Sequence, residues 1–200
     1  MKEFDIILKY FLPLAKKNKG AVNLSDDIFI DFKNKIGISI DTYIENKHFL
    51  YSKRPQCYVK KIFRSALSDL YCKGLTPTKY FVSLSLKKNQ FNKKNFLQFK
   101  KILLSEQKKF GVLLSGGDLT VSKIMSLTLV VMGIFKKRPI LRSGANYLDD
   151  IYVTGNIGDS YIGLKLFQKK ISTYTKNNYF KKMYTEPDLP YKFSKFLFKF

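Results

Sequence analysis

Apolar residues recur along this chain with two different periods, and the change of period marks out its elements. In residues 58–73, Val59, Ile62, Phe63, Ala66, Leu67 and Leu70 fall three and four apart, the spacing that lines one face of a helix. Gly74 and Pro77 follow as stop signals. Residues 92–109 repeat the pattern with Phe96, Phe99, Leu103 and Leu104, and residues 3–16 and 158–170 read as two further helices, the first of them short and amphipathic. Between them lie short β-branched and aromatic runs at 28–32, 36–41, 80–86, 112–118, 125–135 and 151–155, each read as a strand. The order strand, strand, helix, strand, helix, strand, strand predicts an α+β fold: a mostly antiparallel sheet with helices on one face. The expected division is one domain over 1–170 and a linker over 171–200, where Lys, Tyr, Asn and Phe follow no steady period and prolines stand at 187 and 190.

Composition adds a basic excess. The 37 Lys and Arg against 15 Asp and Glu leave a net charge of +22. Such an excess suits an anionic partner such as nucleic acid. It also suits coding bias, because Lys, Asn, Ile, Phe and Tyr are abundant while Ala and Trp are scarce. The lysines are spread along the chain rather than gathered in one block, which favours bias over a nucleic-acid footprint. Cys57 and Cys72 have no metal-ligand spacing and fit a reduced, cytoplasmic protein. The first residues form no secretory leader, because Glu3, Asp5, Lys9 and Pro13 interrupt them, and the apolar run near 125–135 is too short for a bilayer. No membrane partner is expected.

Acidic residues are scarce, so their positions carry information. Asp26 and Asp27 precede the first strand, Asp41 ends the second, and Asp118 follows Gly116 and Gly117. Asp69 shares a helical stripe with Ile62, Ala66 and Lys73 at the border of the apolar face. A carboxylate there is partly desolvated and needs a partner, either a cation or a lysine, unless it simply sits at the exposed edge. If Asp27, Asp41, Asp69 and Asp118 meet, they repel unless a divalent cation neutralises them, and Mg²⁺ is the cation that shares itself with phosphates. Ser115-Gly-Gly-Asp118 reads either as an ordinary turn or as a loop whose bare backbone can approach a phosphate. Arg142, in Arg-Ser-Gly-Ala, is either a solvated loop residue or a phosphate fork.

Five motifs in order resemble the thiamine-monophosphate kinases of the aminoimidazole-ribonucleotide-synthase-like superfamily, over about residues 3–190. They are LSDD at 24–27, SIDTYIENKHF at 39–49, the helix and turn at 60–77, SGGDLT at 115–120, and the stretch 142–164 with its RSGA, VTG and GDS. The resemblance implies a ferredoxin-like N-terminal domain that binds ATP and Mg²⁺. It also implies transfer of the ATP γ-phosphoryl to thiamine monophosphate. By carry-over, Asp27, Ser39, Asp41, Asp69 and Asp118 hold Mg²⁺; Gly117, Asp118 and Arg142 contact ATP; and His48, the single histidine, contacts thiamine monophosphate. It implies a homodimer whose strands form a shared barrel, with each active site between two domains. The departures from the family pattern include Ser25 for Gly, Ile40 for a metal-binding Thr, Ala66 for Asn and Asp149 for Gly, and Ser115 and Leu119 differ from the family's glycine loop. The Ser-Asp-Gly and Gly-Gly-Glu-Asp-Tyr segments of the family's second domain do not occur here. A kinase incomplete without a separately encoded C-terminal half is therefore one expectation. A non-catalytic nucleotide-binding or dimerisation remnant is another, and a basic nucleic-acid-binding protein a third.

Overall fold

The computed structural model describes residues 2–52, 54–172 and 175–199. Five strands form one mixed sheet: β1 (Phe29–Asp31), β2 (Ile36–Ile44), β3 (Thr76–Leu86), β4 (Leu113–Val121) and β5 (Ser126–Ile134). Their order is β1-β2-β5-β3-β4. The pairs β1/β2, β2/β5 and β3/β5 are antiparallel, and β3/β4 is parallel. That matches the expected α+β class and mostly antiparallel sheet.

Helices α3 (Val59–Tyr71) and α4 (Lys93–Phe110) cover one face of the sheet. The stripe read from α3 is the core: Ile62, Phe63, Ala66, Leu67 and Leu70 are each at most 1% exposed. They meet the inward positions of β5, Leu127, Leu129 and Val131, which alternate with half-buried outward residues as a one-face-buried strand requires. α4 makes the crossover between the parallel strands β3 and β4. It starts on Asn92, whose side chain accepts from the Asn95 N–H at 3.0 Å, and stops on Gly111 at φ 69°, a left-handed cap that glycine adopts without strain.

A buried ion pair ties the two helices together. Arg64 Nε and Nη2 donate to the two oxygens of Glu106 at 2.7 and 3.0 Å, and Arg64 Nη1 donates to the backbone carbonyls of Glu186 and Pro187. The pair holds the C-terminal segment against the helix layer.

Two elements differ from expectation. Residues 151–155 form no strand; Ile151 and Tyr152 are 93% and 86% exposed. Their composition suits a strand, but a strand needs a neighbour to satisfy its backbone, and none lies beside them among the described residues. The stretch after 170, read as lacking a period, carries helix α6 (Asn177–Thr185), which packs against α5 (Asp159–Phe167), with Gly163 set directly against the Phe180 carbonyl. Leu189 and Tyr191 then lie on the core near Tyr71 and Phe110. The N-terminal helical segment comprises α1 (Glu3–Ile6), a π-helical stretch (Ile7–Phe11) and α2 (Leu12–Ala15), and buries none of its residues. Among the described residues no helix is long and apolar enough to cross a membrane.

Candidate phosphate and metal site

Strand β2 sends Ser39, Asp41 and Tyr43 to the helix-covered face, one after another at alternate positions. α3 crosses above them and brings down Asp69 near its C-terminal end. The buried Ser39 hydroxyl donates to Asp69 Oδ2 at 2.7 Å, and the Tyr43 hydroxyl donates to Asp41 Oδ2 at 2.8 Å. Burial pushes the Asp69 carboxyl up to about 6, and the negative charges of Asp41 and Asp27 add to the rise, against the Ser39 hydrogen bond and the Lys73 charge. Asp41 and Asp27 thus both lie close enough to Asp69 to act on its carboxyl.

The turn before β1 is held by two cations. Lys73, 3% exposed, meets Asp26 Oδ1 at 2.8 Å. Asp26 also accepts from the backbone N–H groups of Arg142 and Asp27 at 3.0 and 2.8 Å. Burial works against the ionised Asp26, but the Lys73 bond, the two amides and the Lys73 charge outweigh it and hold its carboxyl below the usual range. Arg142 Nη1 reaches Asp27 Oδ1 at 3.0 Å, at the surface. Lys73 and Asp26 escaped sequence reasoning as a pair. The Asp69 stripe pointed to a needed lysine, but the lysine serves a carboxylate 47 positions upstream instead.

His48 stands just beyond β2, in a tight turn. Its Nδ1 accepts from the Ile44 N–H at 3.0 Å, and its ring meets Tyr43 edge-on at 6.2 Å. With Nδ1 accepting, the neutral ring carries its proton on Nε2, directed away from the backbone.

Asp118 and Gly117 do not join this group. In β4, Asp118 pairs with Ser83, which lies opposite Thr128, which lies opposite Thr42. Asp118 therefore shares the outer face with Thr42, while Asp41 points to the helix side, three strands and roughly 14 Å away. Gly117 pairs with Val82, and a Cβ there would collide with the Val82 backbone, so close strand approach alone requires glycine. Ile40 is likewise on the outer face, 67% exposed opposite Val130.

The donor set on the helix side is all oxygen: three carboxylates and a hydroxyl. Oxygen donors fit Mg²⁺ rather than a softer ion. Among the described residues no three of His, Cys, Asp and Glu close on one point as a complete cage would.

A mixed five-stranded sheet, helices on one face and an under-neutralised carboxylate group at one end define an AIR-synthase-type N-terminal domain. The family profile for AIR synthase related protein, N-terminal domain, matches residues 24–135, and the chain belongs to that family. It is 37% identical over 194 residues to the thiamine-monophosphate kinase of Buchnera aphidicola subsp. Schizaphis graminum, and 38% identical to that of Buchnera aphidicola subsp. Acyrthosiphon pisum. Each match covers 92% of this chain, which spans only 58% of either relative. The fold is that of AaThiL complexed with AMPPCP and TMP, at TM-score 0.82 and 21% identity over 98% of this chain and 63% of that one. Thiamine-monophosphate kinase from Aquifex aeolicus superposes with TM-score 0.79, again at 21% identity, over 98% of this chain and 65% of its own.

Proposed function

We propose that this chain is the nucleotide- and metal-handling part of a thiamine-monophosphate kinase, transferring the γ-phosphoryl group of ATP to thiamine monophosphate to give thiamine diphosphate. The observation that carries this reading is the Asp69 carboxyl, held by the Ser39 hydroxyl and raised by burial and by the nearby charges of Asp41 and Asp27. The relatives bearing that activity cover nearly the whole chain.

Asp27, Asp41, Asp69 and Ser39 would hold Mg²⁺. When bound, the ion neutralises phosphate charge as it is redistributed during transfer. The chain's own groups orient the reactants. Arg142 moves its fork from Asp27 to phosphate oxygens, and His48 donates from Nε2 to the phosphate of thiamine monophosphate. Tyr43 keeps Asp41 aimed at the metal position. Asp118, on the outer face, and Gly117 beside it in β4 act on the nucleotide of a second copy. The outer face supports such pairing: Ile40, exposed Ile134 and half-buried Val130, Met132 and Phe81 lie uncovered there. Transfer requires the part of the relatives that this chain does not span, supplied in cis or as a separate polypeptide, in the cytosol where ATP is abundant.

Calorimetric titration of the whole chain with AMPPCP tests this reading. Binding should appear only with Mg²⁺ and vanish in Asp41→Asn. Thiamine diphosphate formation should appear on adding the complementary half. Nucleotide binding indifferent to Mg²⁺ and to Asp41 sinks the assignment.

A further inference from the structure

The helix layer does not close completely on the sheet. A cavity of about 200 Å³ lies between α3, α4 and the inner side of β3 and β5. Val82 and Leu84 of β3 form part of its floor, and Phe63 of α3 part of its wall. The gap follows from what stands beside β3. Val82 pairs with Gly117 of β4, which has no side chain, and Leu119, which pairs with Leu84, is 51% exposed. Every residue of β4 is exposed, so the helices cover β3 and β5 but not this edge strand. No residue of β4 therefore helps to fill the space.

On α4, Phe96, Lys100 and Leu103 fall four and three apart and share the side of the helix that borders the cavity. Among the described residues that line it, Lys100 is the only one that is not apolar. Lys100 is exposed and makes no ion pair among the described residues. Water between such walls finds no partners for its hydrogen bonds, and the lining lacks the contacts that a second apolar surface would give. An occupant therefore needs an apolar body. The lysine, with its stem along the apolar rim and its ammonium in water, favours a single negative charge at one end. An apolar cavity of about 150 Å³ takes a benzene-sized molecule, so this one has room for a tail of about six to eight carbons. We infer that the cavity binds a medium-chain aliphatic carboxylate, with its tail between the helix layer and the sheet and its carboxylate on Lys100. Ser39, Asp41 and Asp69 take no part in the lining, so this site stands whatever the acidic group binds.

Tail length tests this on the unmodified chain. Calorimetric titration with butanoate, hexanoate and octanoate, each below its micelle concentration, should show affinity rising about tenfold for every two carbons. Dodecanoate should gain nothing further, because its last carbons find no room. Octylammonium should bind about tenfold more weakly than octanoate, since its charge meets that of Lys100. Octanoate should shift the methyl resonances of Val82, Leu84 and Leu103, and leave those of Leu104, 53% exposed and outside the lining, in place. Lys100→Met should weaken octanoate about fivefold and leave 1-octanol unchanged. Leu103→Trp, at a half-buried position on the rim, should abolish binding of both, with circular dichroism checking that the variant is folded. Affinity that keeps rising to dodecanoate, octylammonium binding as tightly as octanoate, or no binding of any probe overturns the inference. So does a folded Leu103→Trp that binds octanoate as the unmodified chain does.

Discussion

Residues 36–75 and residues 142–157 carry family motifs of similar weight, yet one stretch is the packed centre of the molecule and the other lies bare. The first contributes β2 and α3, with Ile62, Leu67 and Leu70 fully removed from water. The second exposes Tyr147, Leu148, Ile151 and Tyr152 almost completely. Motif density therefore says nothing about local order. A segment becomes an element when something pairs its backbone and covers its apolar side, and the 142–157 stretch finds neither among the described residues.

The contrast can be broken most directly by stability. Leu67→Ala should lower the unfolding free energy by about 3 kcal/mol, as a core truncation that leaves a cavity, whereas Tyr152→Ala should change it by less than about 0.5 kcal/mol. Urea unfolding of both variants checks this. A comparable loss in Tyr152→Ala would show that the bare stretch is packed after all. Arg64→Met should cost about 3 kcal/mol, because Glu106, 1% exposed, loses the Arg64 guanidinium that pairs with it. Adding Glu106→Leu should recover most of that loss, measured as the thermal midpoint of the double variant.

A smaller effect comes from pH. The Asp69 carboxyl sits at about 6 in the fold against 3.8 in the unfolded chain. A raised carboxyl favours the folded state while protonated: its contribution is complete below pH 3.8 and is lost as pH rises through about 6. Asp69→Asn should therefore stabilise the chain near pH 7.5, by about 1 kcal/mol, and give no gain near pH 4. Stability curves of the two proteins across that range decide it, and a gain independent of pH would contradict the placement of Asp69 among like charges. The smallest effect belongs to Asp118→Asn. On an exposed edge strand it should shift stability by less than about 0.5 kcal/mol while weakening Mg²⁺-dependent nucleotide binding. If binding is unchanged, Asp118 has no part in the site.

Much of the fold was legible in the chain. The three-and-four spacing of α3 and α4 and the alternation of β5 are local signals, and each survives because the buried face is continuous along the element. The strand read at 151–155 failed for the opposite reason: its residues suit a strand, but pairing is a property of two segments. The helix Asn177–Thr185 was missed because its apolar residues, Tyr179, Phe180, Met183 and Tyr184, mix with lysines and become a face only against α5. In the site, Asp69 was marked by its place on an apolar stripe. The Ser39 partner, and the diversion of Lys73 to Asp26, depend on which strand end lies beneath the helix.

The chain by itself determined which residues could form the sheet, the helix layer and an oxygen-rich carboxylate group, because periodicity and residue type are written in order along it. Only the tertiary structure decided that Asp41 and Asp69 share a face while Asp118 lies on the other. The reason is register: side chains alternate across a sheet, so the parity of each strand pairing, set by contacts between distant segments, assigns every carboxylate its side.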